Sequence, residues 1–362
     1  MKGRIRDLLL YCETIDFGKG ELTKRESTFY QRFSKEILLL RISLPESVQT
    51  GSKRFLAYYS GATRRSRESV RALPPWRRRR GDQLDFFANY YSPTWSILYW
   101  LSHDCTLPTK RLKKVDVMSA ITAQSMAMFL HSLDDHLTDS QVSVSPLTLL
   151  LRSQAWTIMN RAFCNLAEGV PSGERTVRSF IDDYYSSIQD SKGLKSLDSY
   201  CDLFRKQMAI GMIAPILLSM KMTGLSDFTR DIEIAYGSFG IAWRLLDDIR
   251  DIGEDIEKGS HSAIYFCFPE KVRTHWNNNT IRNRAAAKDY TNAILNHILE
   301  HSLIEKIKER ICAELETAAS IVEAHQIIGL AREFRCLAHP LRNSGSKWEK
   351  NNGKPSISSK KM

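Results

Sequence analysis

Two short stretches of this chain concentrate acids in a way that solvated helix ends seldom do. The first is His131-Ser132-Leu133-Asp134-Asp135-His136-Leu137-Thr138-Asp139; the second runs through Asp247, Asp248, Asp251, Glu254, Asp255, Glu257 and Lys258. Asp247, Asp251 and Asp255 stand at i, i+4 and i+8, which stacks three carboxylates along one helix face about 6 Å apart per step. Asp135 and Asp139 make the same i, i+4 pair. Like charges at that spacing cost a few tenths of a kcal/mol each, and acids near a helix C-terminus oppose the macrodipole by about 0.3–1 kcal/mol. The penalty occurs twice, each time after an apolar helix with small residues (Ser119, Ala120, Ala123 and Ala127; Ala235, Gly237, Gly240 and Ala242). Divalent cations remove it. Carboxylate oxygens and waters suit Mg2+, which completes its shell with phosphate oxygens of a substrate. Two such faces opposed across an apolar cavity would hold a phosphorylated ligand between them. A solvated helix end explains either cluster alone and explains the coincidence of both poorly.

The elements that must carry these acids are helical. The apolar pattern predicts helices over 112–137, 147–167, 174–189, 197–223, 228–258 and 285–337, joined by short polar or Gly-containing links such as Gly169 to Gly173. Strand-like alternation is confined to an ambiguous run at 37–44. The chain's 362 residues, 43% hydrophobic and 10% aromatic, supply a sizeable core and exclude a disordered or fibrous protein, while 18 Gly and 11 Pro are too few for a turn-rich all-β one. The expectation is one large all-α domain at 84–340. An N-terminal helical extension with a basic loop (1–83) precedes it, and a disordered basic tail (341–362) follows.

The net charge of +11 invites a nucleic-acid or membrane reading, but it is local. Residues 53–80 hold ten Lys/Arg against one acid and residues 342–362 hold six against one, which leaves the remainder slightly acidic. A basic nucleic-acid-binding protein would leave both acid clusters unexplained, so no nucleic-acid partner is expected; Trp76 and Arg77 to Arg80 read as a solvated loop able to touch an anionic membrane surface weakly. Seven scattered cysteines without a CxxC pair point to a reducing cytoplasm. The longest apolar stretch, 209–220, is interrupted by Pro215 and Ser219 and is short for a transmembrane span. His297 and His301 lack the order of a zinc HExxH motif, and His131 and His136 lack the His-Asp order of a metal phosphohydrolase.

Asp134-Asp135-His136-Leu137-Thr138-Asp139 resembles the first aspartate-rich motif (DDxxD, with its DDxxxD variant) of the class I isoprenoid synthases. Residues 240–251, with Gly240, Trp243, Arg244, Asp247, Asp248 and Asp251, resemble the second motif of the trans-prenyl diphosphate synthases, GxxFQxxDDxxD. Asp247, Asp251 and Asp255 also fall in register with the metal triad of terpene cyclases, and residues 250–259 resemble the RDxGEDxxRG stretch of squalene and phytoene synthases. The resemblance covers about residues 90–340 and implies one fold: a large helical bundle of the class I terpenoid synthase type with a central apolar cavity. It also implies that Asp134, Asp135, Asp139, Asp247, Asp248, Asp251 and Asp255 bind Mg2+, three ions by analogy, gripping a prenyl diphosphate whose allylic C–O bond breaks. Asp135 and Asp247 would be central to catalysis, and Phe129 and Trp243, one or two turns from the acids, would steady the carbocation.

Departures from the pattern rank the possible reactions. No paired arginines follow Asp139, no GKxxR precedes the first cluster, and Arg244 replaces the expected Gln. These differences favour a terpene cyclase over a prenyltransferase that elongates chains or performs a squalene- or phytoene-type condensation, although Asp251 and Asp255 stand where a cyclase usually has Ser or Thr and Glu. Candidate diphosphate contacts are Arg205 and Lys206, just before an expected helix break at Gly211 and Pro215, together with Arg244 and Lys258 beside the acids and Arg332 and Arg335 in the last helix; Gln207 is a weaker one. The aromatics Phe86, Phe87, Tyr90, Tyr91, Trp95, Tyr99 and Trp100 read chiefly as core. The enzyme is expected to be cytoplasmic, a monomer or a homodimer.

Overall fold

A computed structural model describes residues 2–18, 20, 22–60, 92–103, 112–138, 140–189, 193–224, 226–279 and 284–352. Among these residues the chain forms sixteen α-helices, one 3-10 turn (Leu40–Ser43) and no strand. In order they are α1 (Lys2–Thr14), α2 (Lys24–Leu39), α3 (Glu46–Tyr59), α4 (Pro93–His103), α5 (Lys114–Thr138), α6 (Pro146–Ala167), α7 (Gly173–Gln189), α8 (Leu197–Gln207), α9 (Ala209–Thr223), α10 (Ser226–Arg250), α11 (Ile252–Lys258), α12 (Ala263–Phe266), α13 (Glu270–Asn279), α14 (Arg284–Glu300), α15 (Leu303–Ala324) and α16 (Ile328–Asn352). The all-α expectation is met, and the ambiguous run at 37–44 is the end of α2 and its 3-10 turn.

Local chemistry sets several of these boundaries. Thr23 and Glu26 close a capping box on α2; Ser145, with Pro146 behind it, starts α6, and Ser196 starts α8. Gly224 and Gly259 end α9 and α11 in the left-handed conformation at φ 65° and 70°.

One continuous apolar core runs from Leu8 to Leu341. The 1–83 extension is therefore no separate module where it is described: Phe33 and Ile37 are fully buried, Ser125 donates to the Phe33 carbonyl at 3.0 Å and Thr122 to Glu36 at 2.9 Å. The last helix runs through Pro340 to Asn352, so the first part of the expected tail is helical; residues 353–362 lie outside the described residues.

The two acid clusters end two of the longest helices, α5 and α10, each 25 residues. Between them the chain bends by 64° where α8 meets α9. The break falls at Met208, ahead of the expected Gly211 and Pro215, and the Gly211 N–H returns to the Met208 carbonyl at 2.9 Å. Pro215 sits within α9 without ending it. No single described helix is long and apolar enough to cross a membrane; α8 and α9 pass only as a bent pair, and residues 209–219 are buried in the core.

Candidate active site

α8 runs antiparallel to α10, and the side chains it presents fix the register. Tyr200 lies level with Arg244 and Asp248, Phe204 with Trp243 and Arg244, and Met208 with Gly240. The second wall is built on this rail. Asp248 is 2% exposed, and both its oxygens are engaged: Oδ2 accepts from Tyr200 Oη at 2.8 Å and from the Ala263 N–H at 2.7 Å, and Oδ1 stands 3.0 Å from Arg244 Nε. The Arg244 guanidinium rests over the rings of Tyr200 and Phe204 at 5.9 and 5.6 Å. Burial holds the Tyr200 phenol well above its ordinary pKa, so it stays a donor.

α10 ends at Arg250, with Asp251 as the cap of α11, yet the backbone bonds Asp251 N–H to Asp247 and Asp255 N–H to Asp251, each 2.9 Å, preserve the i, i+4 ladder across the junction. The backbone spacing of Asp247, Asp251 and Asp255 is thus kept across the break. Burial, and then the neighbouring Asp248, push the Asp255 carboxyl up to about 8.

The first wall is the end of α5. Asp134 accepts a two-pronged bond from Arg152 of α6, Nε to Oδ1 at 2.6 Å and Nη2 to Oδ2 at 2.9 Å, and a third from Tyr184 of α7 at 3.1 Å. The Arg152 guanidinium stands 6.0 Å over Trp156, whose ring stacks on Tyr185. Asp135 is exposed. Asp139 lies outside the described residues, as do Phe86, Phe87, Tyr90 and Tyr91 and the 61–91 segment as a whole.

His131 joins the two walls. Its ring meets Phe204 edge-on at 6.5 Å, and Phe204 stacks on Trp243 at 6.3 Å. Burial first, and then Arg244 of the opposite wall, hold the imidazole at about 4, against a weaker upward pull from Asp134. A neutral ring thus sits between the anchoring acid of one wall and the anchoring arginine of the other.

Several sequence-derived candidates sit elsewhere. Arg205 reaches Gly237, where an added Cβ would stand 3.3 Å from its Nε; that is ten residues, or about 15 Å, up α10 from Asp247. It pairs with Asp202 at 2.6 Å, and Lys206 beside it is exposed. Arg244 is committed to Asp248 and Tyr200, so it builds the wall rather than reaching outward. Lys258 pairs with Glu254 at 2.6 Å. Arg335 of α16 is held by Glu323 and Glu316 of α15, and Arg332, also on α16, is exposed. Phe129 is fully buried with its ring edge-on to Tyr59 at 5.2 Å, on the side of α5 where His136 Nδ1 meets Tyr59 Oη at 2.7 Å; it faces α3. Trp243 alone of the two expected aromatics stands against the site.

The expected central cavity is filled at the level of the bend. Met128, Met208 and Met212, all at most 2% exposed, occupy the space between α5, α9 and α10 and pack where Gly211, Gly237 and Gly240 leave room. A Cβ on Gly211 would stand 2.6 Å from Met128 Cε. Nearer the acids, a shallow crevice too narrow for a water molecule is lined by Tyr200, Cys201, Phe204, Ile241, Arg244 and Leu245. Ligand pockets commonly measure about 300–1,000 Å3, so an isoprenoid chain would have to displace side chains here. Methionines, unbranched and flexible, are suited to such displacement.

No family profile matches this sequence, and no curated protein matches it. Solved structures do. The chain superposes on the geranylgeranyl pyrophosphate synthetase of Pyrococcus horikoshii Ot3 with a TM-score of 0.55 at 12% identity, over 91% of this chain and 98% of that one. A polyprenyl synthetase from Streptomyces coelicolor A3(2) gives 0.58 at 13% identity, over 89% and 99%. The fold is that of the class I isoprenoid synthases. A third neighbour, the geranylgeranyl pyrophosphate synthase of Corynebacterium glutamicum complexed with isoprenyl diphosphate and magnesium, gives 0.54 at 12% identity over 87% and 99%. At this identity the likeness speaks for architecture; the acids, arginines and tyrosines of the two walls speak for chemistry.

Proposed function

We propose that this chain is a Mg2+-dependent prenyltransferase of the class I isoprenoid synthase type, which ionises an allylic prenyl diphosphate and joins the resulting cation to the alkene of a second isoprenoid. The observation that carries the reading is the meeting of two acid-tipped helices through His131, Phe204 and Arg244, in a fold that matches prenyl diphosphate synthases over nearly their whole length. That likeness puts condensation ahead of cyclisation, the reverse of the order the sequence alone suggests.

The donor set fits Mg2+. Hard carboxylate oxygens stand on both walls, and among the described residues no three His, Cys, Asp or Glu side chains converge on one point. Mg2+ is typically held by one or two carboxylates with substrate phosphates rather than by a closed protein cage. When bound through the acids of the two walls, it supplies charge neutralisation on the departing diphosphate. The chain's own residues do the rest. Arg244, Tyr200 and the Ala263 N–H fix the end of α10, and Arg152 and Tyr184 fix the end of α5. Trp243 offers a ring face to a cation, while the methionine-lined interior excludes water.

A single-substrate cyclase is the second reading. It is favoured by Arg244 in place of Gln, by the missing paired arginines after Asp139 and by the 64° bend beside the second wall. The test is incubation with Mg2+ and C10 to C25 allylic diphosphates, with and without isopentenyl diphosphate, followed by mass spectrometry. Condensation products that require isopentenyl diphosphate or a second allylic molecule support the transferase. Hydrocarbons or alcohols with an unlengthened carbon skeleton support the cyclase.

A further inference from the structure

The deep ends of the two walls meet in a polar pair, and from that pair we infer a hydroxyl-binding subsite for the far end of an oxygenated isoprenoid chain. The inference rests on the reading that the walls hold a prenyl diphosphate. Asp135, His131, Met128 and Gln124 descend α5 at steps of four, three and four residues, and Asp247, Trp243, Gly240 and Tyr236 descend α10 at the same steps. That spacing keeps four residues on one helix face, and eleven residues cover about 16.5 Å. The two stripes join at the bottom: Gln124 Nε2 donates to Tyr236 Oη at 3.0 Å and to the Thr94 carbonyl at 2.9 Å. Gln124 is fully buried and Tyr236 is 1% exposed. A polar pair thus closes an interior filled with methionine.

Each member of the pair is left one bond short. The Thr94 carbonyl can only accept, so it fixes the Gln124 amide with the nitrogen toward it, and both amide hydrogens are then engaged. Gln124 Oε1 has no donor among the described residues. The Tyr236 hydroxyl, which receives the amide, has no acceptor for its own hydrogen among them. Burial raises its pKa, so the proton stays in place. A buried acceptor on one wall and a buried donor on the other are costly unless a guest meets both. An alcohol does so: its O–H gives to Gln124 Oε1, its oxygen accepts from Tyr236, and its carbon stem lies against methionine. A water would bring a second hydrogen among methionine side chains, and buried waters typically make about three bonds. Met128 stands one turn nearer the acids than Gln124. Its methyl and the Tyr236 hydroxyl lie 2.6 and 3.2 Å from the point where Gly211 would carry a Cβ. This flexible thioether is what a chain entering from the acids must push aside to reach the pair.

The experiment measures kcat/KM of the full chain for C10, C15 and C20 allylic diphosphates and for the same chains hydroxylated at the far end, with Mg2+ and isopentenyl diphosphate present. The wild-type chain is expected to favour the hydroxylated form by about 10- to 100-fold at one length, because the subsite lies at a fixed depth. Tyr236→Phe keeps the ring and removes the donor; it is expected to bring that ratio to within about threefold of unity. A ratio near unity in the wild-type chain, an equal preference at every length, or a preference that Tyr236→Phe leaves intact overturns the subsite. Should the variant not fold, the length-confined ratio in the wild-type chain decides alone. Turnover of none of these diphosphates overturns the proposed reaction instead. The subsite is then read by thermal unfolding of the wild-type chain: an isoprenoid alcohol hydroxylated at both ends is expected to raise Tm more than the simple alcohol of equal length, and equal shifts overturn it.

Discussion

The two walls use the same chemistry with different degrees of enclosure. At the second, Asp248 is sealed and its arginine comes from one turn earlier on the same helix, so the clamp forms whenever α10 forms and α8 docks. At the first, the partners come from two other helices and Asp134 keeps a side-chain exposure of 16%, against 2% for Asp248, so the clamp depends on how α6 and α7 pack on α5 and is more open to water. The second wall is therefore a fixed frame, and the first is the adjustable one. A site that must admit a substrate and then exclude water is well served by one rigid and one adjustable jaw.

Four substitutions or titrations sharpen or break this contrast. Asp248→Ala leaves the half-buried Arg244 and the buried Tyr200 hydroxyl without their carboxylate and is expected to cost about 3 kcal/mol in urea unfolding. Asp247→Ala, which leaves the clamps intact, is expected to fold normally and lose about 100- to 1,000-fold in diphosphate release under steady-state kinetics. Asp134→Ala should destabilise by about 1–2 kcal/mol, since this carboxylate is less enclosed than Asp248 and water softens the loss. Equal costs at Asp134 and Asp248 would erase the distinction between a rigid and an adjustable wall.

The smallest effect is a pH dependence. The folded-state pKa of Asp255 is raised to about 8, above the ordinary carboxylate value of 3.8. Its bound proton favours the metal-free fold fully below pH 4 or so, and that contribution is lost as pH rises through about 8. Metal must displace the same proton, so the apparent Mg2+ affinity is expected to tighten by up to about tenfold per pH unit between pH 6 and 8, as read by calorimetry. A flat profile would mean that Asp255 stands apart from the metal site.

The backbone spacing of the acids was legible in the sequence because helix periodicity projects directly onto space: the spacing of Asp247, Asp251 and Asp255 depends on nothing beyond the i, i+4 rule, and their backbone bonds keep it across the helix break. The all-α fold was legible for the same reason. The clamps were not. Arg152 lies 18 residues from Asp134 and Tyr200 lies 48 from Asp248, and each meets its acid only after separate helices dock. No local period links them, and a lone Arg in the run after Asp139 carries no mark of its partner. Arg205 and Arg335 illustrate the converse. Both are basic residues on helices near the site in sequence terms, and helix rotation turns one toward Gly237 and the other toward the acids of α15. Phe129 likewise lies less than two turns from Asp134 and faces the opposite side of its helix.

The central claim is that the two walls act together on a metal-bound prenyl diphosphate. Its most direct measurement is pyrophosphate release from C10 to C25 allylic diphosphates with isopentenyl diphosphate present, by the wild-type chain and by Asp247→Ala, with Mg2+ and with excess chelator. Release is expected to require Mg2+ and to fall at least about 100-fold in the variant. Release that persists in chelator, or that Asp247→Ala leaves intact, would contradict it.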